Sequence, residues 1–528
     1  MSRSNFFHSV SRALRLADSC EQMNISTSEG IEREQAALHT RREFLRIAGA
    51  AGLALSPVGA LASKSNNAPR IAIVGGGLSG LACADRLQSK GYTATVYEAT
   101  YRLGGRCYSN RSLVPGMACE NGGEFIDTGH KTMLAYANEF GLAKEAVKRK
   151  AGEERFYFQG QSWSEEEVVG QFRSVVARMQ GDLRAISGSA SFYSKNDADI
   201  YFDNLDLQTY LASRCQGYPL IQAVLDEAYV SEYGLETSSQ STLNFLGFMR
   251  LNKRSKFEPF GVSDERYHLI DGNDGIVAGL EAKLSAPIQG GARLSKLGRN
   301  VSGRYELYFN GSSSPELADV VVLTLPFSVL RNLQLEPSLG LSADKRRAID
   351  ELGYGANAKT MIAFNGRHWA SQFGASGGVL SDLPNVQNCW ESNRARSTGK
   401  GILTDYGSGS RGASLQTGQV QQQVNAFLDD MNLVFPGIKA TAENTGSNFV
   451  AHLEHWPSNP NSLGSYTCYL PGQFTSIEGL TGEASGLLKF AGEHADSFYS
   501  WQGYMEGACL SGLRAANEVL ADIKAKRV

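Results

Sequence analysis

The sequence has no C-x-x-C pair, no long run of one charge after residue 62 and no apolar run of membrane length. Each absence excludes a class of protein. Eight cysteines occur in 528 residues. Cys20 falls in the N-terminal stretch, and the others, at positions 83, 107, 119, 215, 389, 468 and 509, are scattered. That spacing is neither a zinc pattern nor a disulfide framework, so no metal is expected and burial is the default for each thiol. A formal net charge of −3 gives no electrostatic footprint for nucleic acid or an anionic membrane. No internal repeat recurs at a solenoid or propeller period. What is present is 42% apolar residues, enough for a substantial core in two or three domains. The partner this composition suits is a small molecule.

Near the N-terminus, Thr40-Arg41-Arg42-Glu43-Phe44-Leu45-Arg46 precedes an apolar stretch over 47–62 that closes on Ala60-Leu61-Ala62. The stretch holds about sixteen residues and is broken by glycines and Pro57, short of the roughly 20 that a stable membrane span needs. The order of these parts predicts a twin-arginine export signal cleaved near Ala62, hence a periplasmic or secreted protein. The segment before the motif is long for such a signal, which points to a translation start downstream of Met1. Residues 1–62 are therefore set apart as signal and leader.

After Pro69, Ile71-Ala72-Ile73-Val74 reads as a buried parallel strand. A glycine cluster follows, then a helix over 81–90 ended by Gly91, then a strand over 93–97. This is a β-α-β unit. From about 135 to 255 the pattern turns helical, with long stretches at 165–183 and 207–227. A strand over 318–326 reads as a return to the first domain. A further strand is expected at 360–364, polar and glycine-rich text at 395–420, and a last helix over 503–526. The chain is thus read as an interleaved α/β protein, with 69–142, 258–338 and 457–528 in a Rossmann-like domain and 143–257 and 339–456 in an α+β substrate domain of mixed sheet and helices.

Gly75-x-Gly77-x-x-Gly80 lies between strand and helix, the context that makes this motif informative. Gly75 allows the tight turn, and Gly77 admits a pyrophosphate to the backbone. Gly80 packs helix on strand, Leu78 and Ser79 join the glycines as cofactor-binding candidates, and the helix N-terminus faces the phosphates with its positive end. Glu98 closes the second strand and suits ribose hydroxyls.

The text after it, Glu98-Ala99-x-x-Arg102-x-Gly104-Gly105-Arg106, resembles the flavin-containing amine oxidase family: monoamine and polyamine oxidases, flavin-type histone demethylases and L-amino acid oxidases. The resemblance extends over nearly all of the chain after residue 62. It takes in Glu120-Asn121-Gly122-Gly123-Glu124-Phe125-Ile126-Asp127, Tyr267-His268-x-x-x-Gly272-Asn273-Asp274, Phe490-Ala491-Gly492-Glu493-His494 and Trp501-Gln502-Gly503-Tyr504-Met505-Glu506-Gly507-Ala508. It implies a flavoprotein with FAD wrapped by Gly104, Gly105 and Arg106, passed by Gly122, Gly123, Glu124 and Phe125, and held at its ribityl or phosphate portion by Glu493. Gly503, Tyr504 and the Met505 amide would lie at the pyrimidine edge of the flavin, where a helix N-terminus stabilises the reduced ring.

The same resemblance implies that Lys359 holds a water at flavin N5. In Leu463-Gly464-Ser465-Tyr466, Ser465 occupies the position of the cysteine that monoamine oxidases bond to their flavin, so FAD is expected to be non-covalent. Tyr466 and Tyr504 would face one another as aromatic walls, with Trp456 nearby. Phe125 stands where L-amino acid oxidases carry a carboxylate-gripping arginine, a part that Arg250 is left to fill. Asp127 aligns with an acidic residue at the substrate entrance of polyamine oxidases, and Glu124 is close by in sequence. Both suit a second cation on the substrate. The resulting expectation is oxidative deamination of a di- or polyamine or a basic amino acid, with O2 or a quinone as acceptor and a homodimer left open. A broader L-amino acid oxidase, or another FAD-dependent desaturase or oxidase, is the alternative.

Overall fold

The computed structural model describes residues 68–147, 152–249, 265–394, 396, 398–496 and 501–528, together with positions 17, 20, 26 and 27. Five parallel strands form the first sheet, in the order Leu488–Phe490, Val320–Leu323, Ile71–Val74, Ala94–Tyr97, Ile288–Gln289. Ile71–Val74 and Val320–Leu323 are buried at every position, which is why both read as unbroken apolar runs rather than alternating ones. Their alternate residues serve two cores. Ile71, Ile73, Val320 and Val322 pack with Ala515, Ala516 and Val519 of the last helix, Met505–Lys524. Ala72, Val74, Val321 and Leu323 pack instead with Leu294, Leu297 and Leu307 of a four-stranded sheet on the opposite face.

The second half is built on a seven-stranded sheet. Its order is Ala451–His455, Ala358–Phe364, Gly401–Gly407, Val386–Ser392, Ala375–Leu383, Glu153–Phe158, Gln161–Trp163. One face buries Ile362, Phe364, Cys389 and Leu403 against the helix Val420–Val434. The other face turns Met361, Ala363 and Ile402 toward Val114, Met117 and Cys119 of the first half. Four helices, Glu165–Ala185, Leu207–Arg214, Pro219–Tyr233 and Leu243–Met249, surround a separate apolar core with Phe156, Phe158 and Leu380. The first of them begins at a capping box between Ser164 and Glu167, which satisfies donors that the helix start leaves unpaired.

The β-α-β unit and the mixed sheet agree with the sequence reading, and four local expectations do not. The helical stretch contains the strands Glu153–Phe158 and Gln161–Trp163. The 207–227 pattern is two helices, broken where Gly217 takes φ +81° and restarted by Pro219 in the first turn. The glycine-rich text holds a fully buried central strand, Gly401–Gly407. Finally, Ala17 and Cys20, assigned to the leader, are buried in the helical core, and Arg173 donates to Thr27 at 3.2 Å. The twin-arginine motif itself and Arg250 lie outside the described residues.

Candidate active site

Two glycine loops cross at residue 77. Gly75 turns the chain at φ +114°, and an added Cβ there would stand 2.3 Å from Thr324 Oγ1. A Cβ on Gly80 would lie 2.0 Å from the Gly75 carbonyl oxygen, so only glycine lets the helix Leu78–Gln88 approach its strand. Gly77 caps that helix without a side-chain cap hydrogen bond. The nearest atom to a Cβ on Gly77 is the Gly104 carbonyl oxygen, 3.9 Å away, while the Gly104 N–H donates to Gly76 O at 2.9 Å. The second loop is laid across the first.

A cavity of about 390 Å³ opens over the crossing, within the range of buried small-molecule sites. Its walls include Gly75, Gly77, Leu78, Ser79, Glu98, Ala99, Gly104, Gly105, Arg106, Trp456, Gly492, Glu493, Tyr504 and Met505. A helix N-terminus facing a cavity with little side chain in the way suits a diphosphate. The donor set therefore fits a dinucleotide. Glu98 is held in place by N–H donors from Gly76 and Thr100, each at 2.9 Å. Arg106 and Glu493 meet one another at the wall, 2.9 Å apart. Arg106 also donates to Ser465 O at 2.7 Å. The second Glu493 oxygen accepts from the Thr467 hydroxyl and the Gly503 N–H, each at 3.0 Å. Burial alone would push the Glu493 carboxyl up, but the Arg106 guanidinium outweighs it and holds the group below the usual range. Both of its oxygens thus help to fix the turn before the last helix, at the wall of the cavity. Where that helix packs on Leu78–Gln88, a Cβ on Gly512 would lie 2.1 Å from Ser79 O.

The second centre is the Gly122-Gly123 peptide. Lys359 Nζ donates to Gly122 O at 3.2 Å. The Trp456 ring lies 3.3 Å from an ideal Cβ on Gly122, and the Met505 sulfur 2.8 Å from one on Gly123. Sheet lysine, indole and last helix therefore converge on one peptide, although they are far apart in sequence. Lys359 also has a carboxylate partner. Its Nζ lies 2.6 Å from Glu124 Oε2, and the other Glu124 oxygen accepts from the Ser392 hydroxyl at 2.7 Å. Burial would raise the Glu124 carboxyl, but the nearby lysine and His268 draw it below the usual range. Glu124 is consequently committed to Lys359, which corrects the expectation that it meets a substrate cation.

Tyr466 packs with Trp456. Its hydroxyl donates to Glu232 O at 2.6 Å and lies 3.0 Å from the Tyr406 hydroxyl. Tyr504 stands edge-on to Trp501 and His130, at 5.6 and 5.3 Å between ring centres. Phe125 packs against Trp390 at 5.8 Å, and Trp390 against Tyr406 at 5.2 Å. Asp127 is buried; it accepts the Glu265 N–H at 2.9 Å, and its own N–H donates to His130 Nδ1 at 3.0 Å. Burial pushes His130 down to about 3, so the ring is neutral, and the Asp127 N–H assigns its proton to Nε2. Burial also drives the Tyr406 phenol far up, with Glu232, Glu124 and Glu265 adding to the shift.

Tyr406, Trp390 and His130 were not singled out from sequence. Ile402, Thr404 and Tyr406 do alternate along one face of the strand Gly401–Gly407, but the run is too short to have marked Tyr406 in the sequence.

A parallel sheet with a glycine cradle at its carboxyl edge, roofed by a second sheet bearing a buried lysine, defines a dinucleotide-dependent oxidoreductase. Residues 78–520 match the family model described as "Flavin containing amine oxidoreductase", and the chain belongs to that family. Among its relatives is the Bacillus subtilis (strain 168) protein "Putative L-amino-acid oxidase YobN", 26% identical over 482 residues, covering 87% of this chain and 96% of that protein. Another is the L-amino-acid oxidase of Vipera ammodytes ammodytes, 22% identical over 472 residues and covering 86% and 93%. The fold is shared with cyclohexylamine oxidase from Brevibacterium oxydans IH-35A, at a TM-score of 0.74 and 18% identity over 87% of this chain and all of the other. It is also shared with putrescine oxidase bound to putrescine, at a TM-score of 0.71 and 17% identity over 86% and 99%.

Proposed function

We propose that this chain is an exported enzyme that oxidatively deaminates an amine with a second positive group, a di- or polyamine or a basic amino acid, using non-covalent FAD. The observation that carries the reading is the convergence of Lys359, Trp456 and Met505 on the Gly122-Gly123 peptide beside the dinucleotide cavity. FAD, when bound, supplies the acceptor for the hydride that leaves the amine-bearing carbon. The glycine loops and the start of the helix Leu78–Gln88 would hold its phosphates, and the start of Met505–Lys524 its pyrimidine edge. Trp456, Tyr466 and Tyr504 exclude water, which favours the neutral amine that releases a hydride. An ammonium has three donors. With Glu124 and Gly122 O taking two from Lys359, the third is left to hold the water that hydrolyses the imine to a carbonyl plus ammonia or a smaller amine.

Glu232 and Glu265 act on Tyr406 as acidic neighbours, which supports a substrate with a second cationic end, while Glu124 is neutralised by Lys359. Asp127 accepts the Glu265 N–H beside this group. The L-amino-acid oxidases among the relatives support a second reading in which the substrate is an amino acid of broader type. Ser465 spends its hydroxyl on Asn357 Oδ1 at 2.5 Å, in keeping with a flavin that is not tethered there. Reoxidation by O2 yields hydrogen peroxide, and a quinone is the other acceptor in view.

The decisive experiment is anaerobic mixing of the purified protein with putrescine, spermidine, arginine, lysine and simple monoamines while the visible flavin band is followed. Bleaching by the dibasic compounds supports the proposal, and bleaching by none of them overturns it. Acid precipitation should release all of the flavin. The intact mass of exported protein tests cleavage near Ala62, against retention of the packed segment that holds Ala17 and Cys20.

A further inference from the structure

The inner face of the seven-stranded sheet carries two side chains that the mechanism leaves unused. Asn388 lies directly across from Tyr406, and Tyr406 directly across from Lys359. Trp390, two residues along, lies across from Thr404. The pleat therefore puts both on the face that presents Lys359 and Ser392. Asn388 is 0% exposed and Trp390 2%. Among the described residues, neither amide atom of Asn388 nor Nε1 of Trp390 has a hydrogen-bond partner. Burying an amide unmatched is destabilising, and folded proteins seldom leave both atoms of one amide so. A leucine would keep the volume and remove the penalty, so the carboxamide points to a ligand that matches it. The Trp390 indole is meanwhile held by Phe125 and Tyr406.

We infer that Asn388 and Trp390 form a neutral subsite that donates to an oxygen acceptor on the substrate, a carboxylate or an amide carbonyl, while Asn388 Oδ1 receives a substrate N–H. The inference rests on the amine-oxidising reading and narrows its substrate class, from plain diamines to amines that also carry a carbonyl oxygen. Two uncharged donors beside Phe125 then grip the oxygen where the sequence has no arginine.

Cadaverine, lysine and lysinamide share both amino groups and differ at one carbon, which bears hydrogen, carboxylate or carboxamide. Their binding to the FAD-loaded protein is measured anaerobically by calorimetry, with flavin bleaching read in parallel. The oxygen-bearing compounds are expected to bind about tenfold more tightly than cadaverine, the worth of one or two buried hydrogen bonds. Asn388→Leu and Trp390→Phe should each remove most of that preference with FAD still bound. Asn388→Leu should also raise the thermal midpoint, which a purely structural asparagine would not do. A preference for lysine identifies the carboxylate and is abolished in Asn388→Asp by charge repulsion, whereas a preference for lysinamide identifies the amide and survives it. Equal affinity of the wild type for all three, or a preference that outlasts both Asn388→Leu and Trp390→Phe, overturns the inference. If none of the three bleaches the flavin while the affinity pattern holds, the amine-oxidising reading falls and the subsite stands.

Discussion

Replacing Lys359 with methionine keeps much of the side-chain length and removes the ammonium that Glu124 faces at 2.6 Å. Both partners are almost wholly inaccessible, Glu124 at 1% and Lys359 at 3%, so the deletion strands a carboxylate away from water. Breaking a buried pair from one side costs about 3–5 kcal/mol. Because Ser392 still donates to Glu124, the lower end of that range is expected. The double variant Lys359→Met/Glu124→Leu should recover most of the loss, since apolar replacement of both members of a buried pair is often neutral. Turnover should stay low in both. The pH dependence follows from Glu124 lying below its ordinary value: its contribution is present above the unfolded carboxylate pKa and is lost as the pH falls through the lowered one. The gap between wild type and Lys359→Met should therefore be widest near neutrality and shrink on acidification. Urea unfolding followed by tryptophan emission measures the stabilities, and stopped-flow flavin reduction the chemistry. A cost below about 1 kcal/mol, the worth of an exposed pair, or a double variant as weak as the single, would refute the view that this pair is buried and mutually dependent.

Other outcomes follow from the same geometry. Burial alone would lower His268, but hydrogen bonds with Glu120 and Glu145 outweigh it and push the ring up to about 10 from 6.5. Its stabilisation is therefore full below 6.5 and fades as the pH rises toward 10, so the thermal midpoint of the wild type should drop over that interval, while His268→Gln shows a flatter profile. Gly80→Ala forces a Cβ to 2.0 Å from Gly75 O, and the flavin-to-protein ratio after purification should fall severely. Glu506→Ala removes the carboxylate that accepts the Thr132 and Met133 N–H groups, each at 2.8 Å. A loss of about 1–2 kcal/mol is expected, with faster hydrogen exchange in the helix Lys131–Glu139.

The first domain was legible because its constraints are local. A tight turn, a close helix approach and an unbroken apolar strand each leave a residue type at a fixed offset, and Gly75, Gly80 and Ile71–Val74 could be read singly. The seven-stranded sheet was legible only in part. Gly401–Gly407 sits amid serine, glycine and arginine, and its period of two spans too few residues to stand out. The partner of Lys359 was not legible at all, because Glu124 lies 235 positions away and nothing in either segment specifies the other. The same holds for Asn388, whose lack of a hydrogen-bond partner exists only once the sheet is assembled. The break at Gly217 and Pro219 was visible as letters, but it was overridden by the apolar periodicity on either side.

The dinucleotide cradle draws on residues 75–106 for its loops and on 492–493 and 504–508 for its floor, and Gly512 rests on Ser79. Ribosomal synthesis therefore lays down the phosphate-binding turn hundreds of residues before the helix that braces it. Until that late segment emerges, the early strands have no lid on one face, and such long-range closure is intrinsically slow. A chain cut short of Met505–Lys524 would therefore leave Ile71, Ile73, Val320 and Val322 uncovered on that face of the sheet.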